Sequence, residues 1–371
     1  MTFIEKQRNN TERSQQDVSE GRENASVGLT VRKLGDEGWP IWDKLFNCAL
    51  HVTPFASSKY LRQLAESLKW SLSPYIVLRG GEVLAGIALF GHPYLGDRIV
   101  TGVPVTPYSA ILYSSSAFSS TYPAKNTSEH IALSRSLIRA IRTEFRSLDL
   151  NLAPGLNDVR PWIWDGWHAE PTFTYLLSLK DELRISYSVQ SYARKCERSG
   201  ARASTGWNLD DCWSLLEKTF ARQGISIGLN RAQYFALAQT LYDSNLAWMV
   251  TVYNAASQPV ASRVQLSVPG SDTAYDWVAG TNPAAFTTGA SPWNVLKVIE
   301  ECRNRGYAYW NMCGANYETI AKFKSEFGGD LVHGFSLRSP RPLLYSLVAK
   351  ARQEAGLLKQ QLRKTKGRDI H

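Results

Sequence analysis

The sequence predicts two successive copies of one mixed α/β unit, each with a mostly antiparallel sheet flanked by helices. Three observations carry this expectation. Two β-hairpins of similar make-up stand in the two halves, YIVLRGGEVLAGIALF (Tyr75 to Phe90) and WMVTVYNAASQPVASRVQLSV (Trp248 to Val268). Each is followed by a strand, a loop and an amphipathic helix. Each helix then leads to a short strand, a helix ending in glycine and a closing strand. Repetition of element order along a chain is the mark of a duplicated supersecondary unit.

Each element has a local reason. Gly80-Gly81 supplies the positive φ that a tight hairpin turn needs; the second hairpin has a longer turn. Ser128 to Phe145 places Ile131, Leu137, Ile138, Ile141 and Phe145 on one helical face. In the second copy, Ser291 is suited to cap a helix from Pro292 to Arg305, with Pro292 at the first helical position and Gly306 as the stop. LDLNL (Leu148 to Leu152) and YAYWNMC (Tyr307 to Cys313) read as the short strands. NDVRPWIWDGW and YETIAKFKSEFGG read as the following helices. FTYLLSL (Phe173 to Leu179) and HGFSLR (His333 to Arg338) read as the closing strands. Helix pairs precede the hairpins, at Trp39 to Leu50 and Ser57 to Lys69, and at Asp210 to Phe220 and Arg231 to Tyr242. The expected organisation is a polar, disordered lead-in over 1–27, a first unit over 28–182, a second over 183–339 that opens with the helix SVQSYARKCERSG, and a basic helical tail over 340–371.

Composition bounds the function. The chain has 371 residues, 44% of them hydrophobic, and a formal charge of +9. A basic balance favours anionic partners: nucleotides, RNA or an anionic membrane face. The 12 Trp and 17 Tyr suit concave sites as well as cores. The five cysteines are scattered, without a CxxC pair, which argues against a zinc knuckle or redox motif and for a reduced, cytoplasmic setting. No metal is expected. The amino terminus lacks the apolar core of a signal peptide, and no apolar run is long enough to span a bilayer.

Several stretches, in order, resemble one family. TPYSAILY (Thr106 to Tyr113) is similar to a Pro-Tyr segment of the first domain of Fem-like acyltransferases. SYARKCERSG resembles the helix that begins their second domain. YDWVAGTNP, ASPWNVLKVIEECRNRGYAYWNMCG and FKSEFGG resemble that domain's core. The resemblance runs over about Val31 to Arg338. It implies two tandem GNAT-like domains and an acyltransferase activity. The implied donor is acyl-CoA, with acetyl-CoA first, and the implied acceptor is an amine or hydroxyl of a small molecule such as a sugar nucleotide or cell-envelope precursor. Aminoacyl-tRNA is the alternative donor. A non-catalytic tandem domain that binds an anionic ligand is the reading from another class. The protein is expected as a monomer or homodimer.

Acyl transfer requires deprotonation of the acceptor, stabilisation of an oxyanion and a grip on the leaving group. The resemblance assigns Lys324, in FKSEFGG, to catalysis as a cation near substrate. Asp276, between Tyr275 and Trp277 on a strand, is the candidate base. Asn311, at a strand end, is the third candidate catalytic group. Thr106, Tyr108, Tyr113, Tyr275, Trp277 and Arg194 are candidate substrate contacts. TTGASPWNVL resembles a pyrophosphate-gripping loop and assigns Gly289, Ser291, Trp293 and Asn294 to the donor. The tail's Lys359, Arg363, Lys364, Lys366 and Arg368 suit contact with a membrane surface or RNA.

Overall fold

A computed structural model describes residues 28–94, 97–100 and 102–340. The lead-in over 1–27 and the tail beyond Pro340, both read above from sequence, lie outside the described residues.

The first half runs β1 (Leu29–Lys33), α1 (Trp39–Cys48), β2 (Ala49–Leu50), α2 (Ser58–Leu68), β3 (Ser71–Arg79), β4 (Glu82–Tyr94), β5 (Asp97–Val100), β6 (Ala110–Ser114), α3 (Pro123–Glu144), β7 (Ser147–Leu152), α4 (Arg160–Trp164) and β8 (His168–Ser178). The second half runs α5 (Tyr187–Arg198), β9 (Arg202–Ser204), α6 (Leu209–Gln223), α7 (Arg231–Asp243), β10 (Ala247–Tyr253), β11 (Pro259–Ser267), β12 (Thr273–Thr281), α8 (Ala290–Asn304), β13 (Tyr309–Asn311), α9 (Glu318–Ser325) and β14 (Asp330–Arg338). The mixed α/β class and the expected order are present in both halves.

Local chemistry explains most boundaries. The β3–β4 turn has Gly80 and Gly81 at φ 56° and 89°. Ser57 caps α2 by accepting from the Tyr60 amide, and Asn230 with Gln233 forms a capping box on α7. Three boundaries differ from the sequence reading. The Trp39 helix stops at Cys48, because Ala49 and Leu50 extend to pair with Ser114 and Tyr113 of β6. The long first-half helix starts at Pro123, whose fixed φ suits the first turn. α8 starts at Ala290 with Gly289 in the left-handed region as its cap, so Ser291 and Pro292 fall inside the helix.

Twelve of the described strands form one continuous path, β1-β3-β4-β5-β7-β14-β8-β13-β12-β11-β10-β9, with β6 on β4 and β2 on β6 beside it. Among the described residues, only β5–β7 and β12–β13 pair in parallel; the other pairings are antiparallel. The closing strands change places. β14, from the end of the chain, lies against β7 of the first half, and β8, from the first half, lies against β13. The two halves therefore share hydrogen-bonded backbone. Their equivalent helices α2 and α7 also pack together, with Gln233 Nε2 donating to the Ser67 carbonyl at 2.6 Å and Thr240 Oγ1 to Gln63 Oε1 at 3.0 Å.

One departure from the duplication positions the site. In the second half β12 is unbroken. In the first half its counterpart is split into β5 and β6, which pair with β4 at His92–Tyr94 and at Ala85–Ala88. Between them residues 102–109 leave the sheet and reach across to the second half. The core on this side joins Trp42, Phe55 and Tyr60 of the first half to Met249, Leu266, Tyr275 and Trp277 of the second.

Candidate active site

The site begins where β12 and β13 part. They pair from Thr273–Tyr309 to Tyr275–Asn311, after which β13 ends and β12 continues to Thr281. Beyond Tyr275 that edge of β12 has no strand partner among the described residues. The chain leaving β13 turns through Cys313 (φ 47°) and Gly314 (φ 76°). A left-handed residue with a side chain costs about 1–2 kcal/mol, so the surroundings must hold it.

They hold it from both sides. Asn311 Oδ1 accepts from the Cys313 amide at 2.9 Å, from Thr174 Oγ1 at 3.0 Å and from the Tyr108 hydroxyl at 3.3 Å. On the other side, Lys324 Nζ donates to the carbonyls of Met312, Cys313 and Gly314 at 2.5, 2.7 and 2.7 Å. An ammonium has three N–H groups, and all are used. Lys324 is buried, which lowers its pKa, while the charge on Asp276 opposes that shift. The Cys313 thiol lies by the Tyr108 hydroxyl and the Asp276 amide; burial pushes its pKa well up, against a smaller pull from Lys324. A thiol held protonated is a poor nucleophile.

Asp276 faces away from its neighbours Tyr275 and Trp277, as strand alternation requires. Its carboxylate forms a buried ion pair with Arg263 and accepts from Gln265 Nε2 at 2.9 Å. Gln265 Oε1 in turn accepts from Trp310 Nε1 at 2.7 Å. Both carboxylate oxygens are engaged. That geometry suits a structural anion under the splay rather than the base expected from sequence.

The first half closes the site through the loop over 102–109. Val105, a β-branched residue at φ 49°, presents its carbonyl to Trp277 Nε1 at 2.7 Å and to the Tyr60 hydroxyl at 2.9 Å. Thr106 Oγ1 is 2.9 Å from the same Tyr60 hydroxyl. The Tyr275 hydroxyl donates to the Val52 carbonyl at 3.4 Å. Phe55, Tyr60, Tyr108, Tyr275 and Trp277 meet edge to face, with centroids 5.3–6.4 Å apart. A cavity of about 100 Å³ opens at the root of the loop, lined by Phe55, Thr106, Ser109 and Asn151 among others. Trp277→Phe removes the N–H bond to Val105 and trims the buried indole to a phenyl; a loss of about 1–3 kcal/mol in urea-unfolding free energy is expected.

The structure thus brings together Thr106, Tyr108, Tyr275, Trp277, Asn311 and Lys324. Tyr113 is apart from them. It lies in the outer core of the first half with its hydroxyl 2.8 Å from Ser134 Oγ, and burial pushes its phenol up to about 12. Arg194 is also apart, on the solvent face of α5 with its guanidinium over the Tyr187 ring at 6.0 Å.

The loop read as a pyrophosphate cradle is covered by α5. A Cβ on Gly289 (φ 83°) would lie 2.1 Å from the Tyr192 carbonyl oxygen, and Lys195 Nζ donates to the Thr287 carbonyl at 2.9 Å. Trp293 packs with Ala193, Cys196 and Val252. Asn294 is buried and donates to the Val250 carbonyl at 2.9 Å. Ser291 alone of the four is partly open. The bare face of Gly289 serves helix packing, and these residues do not form an open cradle for CoA phosphates. Gly289→Ala is expected to lose about 2–4 kcal/mol of stability in a denaturant melt, from left-handed strain and overpacking together.

No protein-family model matches the sequence, and no curated protein matches it. Solved structures do. FemX is similar over 82% of this chain and 96% of its own, with a TM-score of 0.60 at 9% identity. The C-terminal domain described as that of a lysylphosphatidylglycerol synthetase from Agrobacterium fabrum covers 82% of this chain and 95% of its own, with a TM-score of 0.53 at 12% identity. The chain has a FemX-like fold. L-PGS from Bacillus licheniformis is similar over 72% of this chain and 85% of its own, with a TM-score of 0.50 at 12% identity.

In this Fem-like fold, sequence reasoning missed Tyr60, Thr174, Arg263 and Gln265. Arg263 and Gln265 carried a usable signal: two large polar residues at period two in a mostly apolar strand, beside a strand with a single carboxylate. Tyr60 and Thr174 carried none, because each reads as an ordinary member of an amphipathic element.

Proposed function

We propose that the protein is an acyltransferase that moves an activated acyl group to an amine or hydroxyl in the cleft between its two similar units. One observation carries this: the edge of β12 beyond Tyr275, without a strand partner among the described residues, beside the stitched turn at 311–314. Amides on that edge are fixed dipoles, available to the oxyanion that forms when the acceptor's nitrogen or oxygen bonds to the acyl carbon. The acceptor loses its proton, the carbonyl re-forms, and the donor's sulfur or oxygen leaves with a proton. Lys324 supports this chemistry by fixing the turn and by placing positive charge behind it. Tyr108, Thr106 and the aromatic wall are the acceptor-side contacts, suited to a sugar-nucleotide or cell-envelope precursor.

Acyl-CoA, with acetyl-CoA first, is one donor class, although Gly289, Trp293 and Asn294 offer its phosphates no open cradle. Bound, it would supply a thioester. The covered face of Gly289 favours a second donor, aminoacyl-tRNA, because an ester donor makes no demand on that loop.

Thermal-shift titration with acetyl-CoA, free CoA, and charged and uncharged tRNA separates the donors, followed by a discharge assay with amine acceptors. A saturable shift with one class, and acceptor-dependent discharge of it, is the expected result. A shift without any discharge would instead mark a tandem GNAT-like binding protein. No shift with any donor would remove the proposal.

A further inference from the structure

Outside the cleft, the most unusual surface is the face formed by α3 and α4. Ile163 and Trp164 are 47% and 55% exposed, side by side on α4, while Pro161 and Trp162 of the same turn are buried. The guanidiniums of Arg135 and Arg160 flank the Trp164 ring at 5.9 and 5.8 Å. Arg135, Arg139 and Arg142 follow one another on one face of α3 at helical spacing. Asp165 pairs with Arg142 at 2.6 Å and Asp158 with Arg160 at 2.7 Å, whereas among the described residues Arg135 and Arg139 have no carboxylate partner. The surface stands apart from the transfer cleft, since both helices pack on the outer core of the first half.

The described chain ends beside this face, with Pro340 against Gly166. The sequence that follows carries Leu343, Leu344, Leu347 and Val348, then Lys350, Arg352, Lys359, Arg363 and Lys364. The same combination, a few apolar side chains with an excess of cations, is therefore repeated in the segment that leaves from here.

We propose that this face docks on an anionic phospholipid surface, with Ile163 and Trp164 entering the headgroup layer and Arg135 and Arg139 meeting lipid phosphates. An indole with one apolar and one polar edge is suited to that layer. Neither a small apolar anchor nor a few cations binds a bilayer firmly alone, and here they are adjacent. RNA would also accept arginines beside an aromatic ring, but the exposed aliphatic Ile163 contributes to neither base stacking nor phosphate contact.

The test is flotation of the full chain with vesicles of phosphatidylcholine, with and without about one-third phosphatidylglycerol, at low and high salt. Binding to the anionic vesicles alone, weakened by salt, is expected. Ile163→Ser with Trp164→Ser should reduce it about tenfold or more, and Arg139→Glu, on an exposed ridge with no packing role, about fivefold or more. Circular dichroism checks that both variants stay folded. Absence of binding, equal binding to neutral vesicles, wild-type binding by the Arg139 variant, or displacement from the vesicles by single-stranded RNA would each overturn the assignment.

Discussion

Replacing Lys324 by methionine is expected to lower the acyl-transfer rate at least about a hundredfold and to reduce stability by about 2–4 kcal/mol, measured by steady-state kinetics and urea unfolding. Methionine matches the length of the stem but offers nothing to the carbonyls of Met312, Cys313 and Gly314, which lose all three ammonium bonds at once. Release from burial of the charge offsets part of that loss, which is why the stability effect falls below the sum of three charged hydrogen bonds. The left-handed Cys313 is then held by Asn311 alone. The pH dependence has a definite sign. Burial places the folded pKa of Lys324 below the ordinary 10.5. Between those two values the unfolded chain binds more protons, so this residue makes stability rise with pH there. The transfer rate should fall over the same alkaline range, as the ammonium is lost. A Lys324→Met variant should lack that alkaline limb. Unchanged kinetics in this variant would show that the turn is not part of the machinery.

The second large effect is expected at Arg263. Arg263→Met leaves Asp276 buried and without its counter-charge, and a loss of about 3–5 kcal/mol is expected in a urea or thermal melt. The double variant Arg263→Met with Asp276→Leu should recover most of that loss, because the penalty lies in the orphaned charge rather than in the missing bond. Gln265 and Trp310 should show the change first, as they complete the chain that ends on Asp276. If the double variant were as unstable as the single one, packing rather than electrostatics would explain the site.

How far these features were legible in the sequence depends on the range of the interactions. The repeated hairpins, the helices after them and the glycine stops are local, and turn and capping chemistry revealed them. The exchange of β8 and β14 was hidden, because either strand satisfies the same edge and no local signal records which neighbour it takes. Nothing in the sequence announces that residues 102–109 leave the sheet; Val105 in the left-handed region is stabilised by Trp277 and Tyr60, residues far away in the chain. The same limit applies to the candidate site. Lys324 and Asn311 stood out by motif and by strand-end position, but that one side chain each braces opposite sides of a single turn is a three-dimensional fact. Gly289 shows the reverse case: a glycine that suits a phosphate loop in sequence is required by the close approach of Tyr192 in space.

The most direct measurement is a calorimetric titration of the wild-type protein and the Lys324→Met variant with acetyl-CoA and with an amide-stabilised aminoacyl-RNA fragment. The expected result is saturable binding of one donor class to the wild type, weakened at least about tenfold in a variant that remains folded at the titration temperature. Failure of both donors to bind the wild type, or equal binding to the variant, would contradict a cleft in which the Lys324-braced turn receives the acyl donor.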